Sequence, residues 1–260
     1  MAVYSTGCVS IYVANGCAGF ADIPMSVPEG AMFRTWYSFA GHQLFSSWDN
    51  GDVFGSDFRD GPNNDLEPNG GSDIPDIYYY SGHGTCQNSP AATSPDFINV
   101  CGNFGDPDGT NIGTQSRWGS LGGDGDARGN LKFLFLDASC PMDLVSIENT
   151  WFPVFQGLHM AVGHSGTTTS DTLDSVDRGT QFAAWTAELP FPLNQFYPQL
   201  SIGDAWMIAG VTDIQRGCCA VALAAGNDRN DAIDRRENER VNDNRPDPSP
   251  NWFAWKWMCA

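Results

Sequence analysis

Two short apolar runs, each ending in one reactive residue, constrain this chain more than anything else in it. The first, Ile74-Pro75-Asp76-Ile77-Tyr78-Tyr79-Tyr80, closes on Ser81-Gly82-His83-Gly84. The second, Leu131-Lys132-Phe133-Leu134-Phe135-Leu136, closes on Asp137-Ala138-Ser139-Cys140. Aromatic and aliphatic residues run on with little polar interruption and turn residues bound both ends, the pattern of strands buried on both faces. Laid side by side and parallel, the two strands release a histidine and a cysteine together at their carboxyl ends. That edge is where open α/β sheets build their sites. A thiol within reach of an imidazole is a nucleophile with its base.

The remaining segments fit around these strands. Residues 8–14 read as a first strand. Ser26-Val27-Pro28-Glu29 supplies a cap, a proline and an acidic first turn, which predicts a helix from Pro28 to Ala40. Residues 43–48 read as a second strand, and 49–73, crowded with Asp, Asn, Gly and Pro, as a short helix followed by a surface loop. A long polar insertion, 85–130, then either covers the site or carries a small helix. After the cysteine come a helix at 151–156, a buried strand at 159–162, helical spacing over 178–188 and 201–213, and a strand at 220–225. Residues 226–250 read as a polar tether and 252–258 as a closing aromatic strand. Strands alternating with helices predict an α/β fold with a mostly parallel central sheet and helices on both faces. The expected organisation is one domain over 1–225, insertion included, with the tether and last strand of 226–260 packing on the same domain.

The chain has 260 residues, 41% of them hydrophobic, with nine tryptophans, enough to bury a core. Its 31 acidic residues outnumber 13 basic ones, giving a net charge of −18, and only six of the acids are glutamate. No basic stripe is present to neutralise phosphates, so a nucleic-acid partner is not expected. No stretch reaches the ~20 apolar residues of a membrane span. Met1 to Cys8 has neither a charged n-region nor an apolar core, so no signal peptide is read there. Eight cysteines are nonetheless many for a reduced cytosolic protein and point to an oxidising, extracellular setting. Cys8 with Cys17, Cys86 with Cys101, and Cys218 or Cys219 with Cys259 are candidate pairs; spacing alone fixes none of them. Within the insertion, Asp106, Asp108, Asp124 and Asp126 alternate with other residues and glycine, a donor set that suits calcium. No glutamate follows at the spacing of an EF-hand, so a solvated acidic turn is the competing reading.

A strand ending in Ser-Gly-His-Gly, followed by one ending in a small residue and Cys, resembles the caspase–hemoglobinase fold of cysteine peptidases, which includes caspases, metacaspases, legumains, gingipains and separases. The wider layout, with Trp48-Asp49-Asn50 and Ser56-Asp57-Phe58 before the histidine strand and Trp151 to Gly166 after the cysteine strand, is similar to that of uncharacterised bacterial and archaeal caspase-like domains. The likeness spans roughly residues 8 to 225, and the two strand-end motifs are its specific part. Metacaspases usually carry an acidic residue two places before the cysteine, whereas here Asp137 stands three before it and Ser139 is adjacent.

The resemblance implies a cysteine endopeptidase that needs no cofactor. The Cys140 thiolate attacks a peptide carbonyl, His83 protonates the leaving amine, and the backbone N–H groups of Gly84 and Cys140 hold the oxyanion. It also implies that the loop 164–171 lines the P1 pocket, with His164, Ser165 and Asp171 as substrate-binding candidates and Asp171 favouring a basic P1 residue. An amine in place of water would make the protein a ligase. The rival from another class is an extracellular binding or structural module with a silent dyad, in which Cys140 is oxidised. Two other motifs fail: Gly163-His164-Ser165-Gly166 lacks the next glycine of a nucleophile elbow, and His159 and His164 are too far apart for a helical zinc pair. Oligomeric state is not legible here.

Overall fold

The computed structural model describes residues 3–10, 23–49, 53, 55–59, 71–85, 97–99, 110–121, 129–168, 173–211 and 218–259. The strands are β1 (Ser5–Ser10), β2 (Gln43–Asp49), β3 (Ile77–Ser81), β4 (His83–Thr85), β5 (Phe97–Asn99), β6 (Thr110–Asn111), β7 (Phe133–Asp137), β8 (Met160–Ser165), β9 (Cys219–Gly226) and β10 (Trp252–Cys259). The helices are α1 (Ser26–Phe39), the one-turn α2 (Ile112–Gln115), α3 (Ile147–Trp151), α4 (Leu173–Thr186), α5 (Ile202–Val211) and α6 (Arg229–Asn238). Seven strands form one sheet in the order β10-β9-β8-β7-β3-β1-β2. From β2 to β8 all neighbours are parallel; β9 runs antiparallel to β8, and β10 to β9. The chain is therefore α/β with a mostly parallel sheet. The strand order reverses between β1 and β3, which makes the carboxyl edge there a natural crevice.

Successive residues of a strand face opposite sides, so the sheet has two cores. Ile77, Tyr79, Phe133, Phe135, Met160 and Val162 meet α1, α4 and α5 on one side. Tyr78, Tyr80, Leu134, Leu136 and Ala161 meet Ile112, Ile147, Trp151 and Val154 on the other. Burial on both sides is why β3 and β7 read as unbroken apolar runs instead of alternating ones. β4, β5 and β6 form a separate antiparallel sheet, so the insertion carries strands as well as the one-turn α2.

Local departures from expectation have identifiable causes. α1 begins at Ser26, two residues early, and Ser26 does not cap it: its Oγ donates to Ile23 O at 3.1 Å. The helix expected at 151–156 is α3 plus a 3-10 turn, Phe152–Val154, with Pro153 breaking the α pattern. The expected tether contains α6. Asp228 accepts from the N–H groups of Asn230 and Asp231, and Asp231 Oδ2 accepts from Asn227 N at 2.9 Å, a reciprocal N-terminal cap.

α6 buries only Ala232 and Arg235, so no apolar stripe announces it. Arg235 donates to Asp231, Glu239 and Pro246 O at 2.9, 3.2 and 2.9 Å. His159, at the amino end of β8, lies 2.7 Å from Glu239 Oε1 and 3.0 Å from Asp247 Oδ1. The segment after α6 is thus laced to the sheet. Arg236 Nη1 donates to Trp255 O of β10 at 3.1 Å.

The cysteines are also redistributed. Cys8, expected to pair with Cys17, is a free thiol buried under α1, and burial pushes it up to about 12. Cys219 bonds Cys259, its direct partner in the β9–β10 register, while Cys218 stays free and buried. Cys17, Cys86 and Cys101 lie outside the described residues. No helix among the described residues is long and apolar enough to cross a membrane.

Candidate functional site

β3 and β7 are parallel with Ser81 opposite Asp137, so the two chain segments beyond the strands leave the sheet side by side. Gly82 N donates to Asp137 O at 3.1 Å, carrying the ladder one step further. Tyr80 OH donates to His83 O at 2.8 Å and occupies the space a Cβ on Gly82 would need. Gly84 lays its bare Cα against the Ser139 carbonyl, where any Cβ would collide. The glycines flanking His83 therefore allow one close approach of the two strand ends. His83 is half-buried there, and Cys140, on the adjoining end, is 6% exposed.

Cys140 has φ of 58°, a left-handed backbone that costs a non-glycine residue about 1–2 kcal/mol. Neighbouring hydrogen bonds hold it. Cys140 N donates to Gly166 O at 3.0 Å, Met142 N to His164 O at 3.1 Å, and Thr168 N to Ser139 Oγ at 3.0 Å. Trp151 Nε1 donates to Pro141 O at 2.9 Å from below. Both Cys140 groups that the expected chemistry uses are engaged here. The Cys140 N–H is spent on Gly166 and is not aimed at an oxyanion. The Cys140 sulfur is in a disulfide whose other half lies outside the described residues, so in this form it is no nucleophile.

Directly beneath the strand ends lies a buried polar cluster from four elements. Arg178 Nε of α4 donates to Asp137 Oδ2 at 2.7 Å, and Tyr79 OH donates to the same oxygen at 3.3 Å. Ser81 Oγ donates to Glu29 Oε2 of α1 at 2.6 Å, and Glu29 is a close electrostatic neighbour of Asp137. Burial, then the Asp137 charge, pushes the Glu29 carboxyl well above its ordinary value. Burial acts on Asp137 in the same direction, but the Arg178 charge, with His164 and Glu29 close by, outweighs it and holds that carboxyl far below the usual range. Cys218 faces the same charges, with burial pushing its thiol up to about 11.

The three substrate-binding candidates separate. His164 is fully buried, packed on Trp206 at 5.0 Å, with Nε2 3.4 Å from Asp137 Oδ1. Burial lowers its pKa, and it faces the α1–α4 side of β8 with no exposed surface. Ser165 is half-buried and its Oγ accepts from Leu144 N at 3.4 Å, bracing the cysteine turn. Asp171 lies outside the described residues, as do Asp106, Asp108, Asp124 and Asp126. Among the described residues no group of three or more His, Cys, Asp or Glu side chains is arranged to hold a metal.

Sequence reasoning missed Glu29, Ser81 and Arg178. Glu29 reads as a favourable first-turn acid and Arg178 as the start of a helical stretch. A signal exists for Arg178: it falls among Phe182, Ala183 and Trp185 in a chain with only 13 basic residues. Neither a curated protein nor a solved structure matches the chain. Residues 14–258 match DUF6345, described as a domain of unknown function, and the chain belongs to that family.

Proposed function

We propose that this protein is a caspase-like cysteine endopeptidase working through His83 and Cys140, stored in a form whose nucleophile is capped by a disulfide. The observation that carries the reading is the meeting of the β3 and β7 ends, with Gly84 pressed on the Ser139 carbonyl and Cys140 held in a left-handed turn. Two electrons from an external thiol reductant cleave the Cys140 disulfide and leave a thiol. Its sulfur then attacks the peptide carbonyl carbon, the C–N bond breaks, and His83 passes a proton to the leaving amine. Water attacks the thioester, His83 takes its proton, and the carboxylic acid leaves as Cys140 is regenerated. With the Cys140 N–H engaged by Gly166, the Gly84 N–H is the remaining candidate for the oxyanion, a donor worth about 3 kcal/mol. A basic P1 residue, an extracellular setting and a polypeptide substrate belong to this proposal. The disulfides at Cys140 and Cys219–Cys259 favour the oxidising compartment.

One observation favours the rival reading of a non-catalytic binding or structural module: Cys140 has both its sulfur and its N–H committed. A panel of fluorogenic peptides with Arg, Lys, Asn or Asp at P1, run with and without dithiothreitol and calcium, separates the two. Cleavage is expected only after reduction, strongest on the basic peptides, and lost in Cys140→Ala and His83→Ala. Silence across the panel, with reduced Cys140 also inert to iodoacetamide, would leave the binding module standing.

A further inference from the structure

We propose that Arg178 is a positioning residue for the His83–Cys140 pair, acting through Asp137 to hold the carboxyl ends of β3 and β7 at one spacing. This rests on the peptidase reading above. Asp137 is linked through the main chain to both halves of the pair. Its main-chain oxygen takes the N–H of Gly82, the residue before His83, and its chain reaches Cys140 three residues later. Its carboxylate is gripped by Arg178 Nε at 2.7 Å.

The opposite strand end is gripped in the same manner by α1, through the 2.6 Å bond from Ser81 to Glu29. Glu29 and Asp137 are close neighbours, so the two grips meet. Each strand end is thus tied to a different helix, and the two ties meet where Glu29 lies beside Asp137. Glu29, Ser81, Asp137 and Arg178 are all at most 1% exposed, so water offers no substitute partners.

The groups facing Asp137 are Arg178 from α4, Glu29 from α1, Tyr79 from β3 and His164 from β8, with Cys218 close by. Of these, Arg178 supplies the compensating charge. Its planar fork fixes direction as well as charge, which a lysine ammonium on a flexible stem does not. A displacement of about 1 Å in a reacting pair can cost about a hundredfold in rate, so a positioning role predicts a measurable effect without any contact to substrate.

The test is made on the full chain after mild reduction. The rate of Cys140 alkylation by iodoacetamide is followed by peptide mass spectrometry against pH, for wild type, His83→Ala and Arg178→Lys, with thermal unfolding as a check of folding. The expected result is a wild-type profile that loses its low-pH reactivity in His83→Ala. In folded Arg178→Lys, neutral-pH alkylation should fall about tenfold and the profile should drift toward that of an ordinary thiol. If Arg178→Lys does not fold, the charge-free pair Asp137→Asn/Arg178→Gln, which keeps amides in both places, is put through the same profile with the same expectation. A folded variant whose profile overlays wild type overturns the positioning role and leaves the dyad intact. A wild-type profile indifferent to His83→Ala overturns the dyad, and the positioning role with it.

Discussion

At the amino end of β8, His159 has Glu239 on one ring nitrogen and Asp247 on the other, at 2.7 and 3.0 Å, and Arg235 bonds the same glutamate. Five residues further on, at the carboxyl end, His164 meets Asp137 at 3.4 Å and its Nδ1 has no hydrogen-bond partner among the described residues. Both histidines are buried. The first cluster is redundant: Arg235 has three acceptors and the histidine two. The second depends on fewer links, with Glu29 Oε1, Asp137 Oδ1 and both His164 ring nitrogens lacking a hydrogen-bond partner among the described residues. Buried polar groups are normally paired, and shortfalls gather where a protein does something other than stay folded. The cluster beneath the paired strand ends holds four such atoms, against Glu239 Oε2 alone in the first.

Removing one member from each cluster should separate them. Arg178→Met strips the compensating cation from Asp137 and Glu29, and about 3–5 kcal/mol of stability should be lost, read as a fall in denaturant midpoint. Glu239→Ala should cost less, about 2 kcal/mol, because Arg235 keeps Asp231 and Pro246 O while His159 keeps Asp247. An equal loss in the two variants would end the distinction between a redundant and a dependent cluster.

Glu29 and Asp247, one from each cluster, should also answer pH in opposite directions. Glu29 is raised above its ordinary value of 4.5, so its contribution is complete below that value and is lost as pH rises toward its folded pKa. Over that window the slope is at most about 1.4 kcal/mol per pH unit, and Glu29→Gln should flatten it. Asp247 is held down at about 2, first by the hydrogen bond to His159. Its contribution is present above its ordinary value of 3.8 and disappears as pH falls toward 2, an acid limb smaller than the Glu29 limb because the residue is partly exposed. Thermal melts of Asp247→Asn across that range should lack it. The smallest effect expected is that of His164→Gln, within about 1 kcal/mol, since it forfeits one long contact.

Much of this architecture is legible in the chain. β3 and β7 stand out because burial on both faces removes polar interruptions, and the glycines around His83 mark a close approach before any contact is known. The polar cluster is illegible for a physical reason: Glu29 and Arg178 become interior residues only through partners 108 and 41 positions away in Asp137. His164 is visible as a candidate, but its direction is set by which face of β8 it occupies. α6 is hidden because its stability comes from a cap and from Arg235, not from an apolar stripe. The state of Cys140 depends on a partner that spacing does not identify.

β10 closes one side of the sheet order with Trp252 and Trp257 51% and 54% exposed, and α6 lies along it with Arg236 on the Trp255 carbonyl. A strand in that place is a template on which another copy can polymerise. In dilute buffer a charge of −18 keeps copies apart, since repulsion reaches about 30 Å at 0.01 M salt. In brine that reach shrinks to about 3 Å at 1 M. Colloidal stability then passes from long-range repulsion to short-range contacts, where the exposed Trp252 and Trp257 of β10 count most.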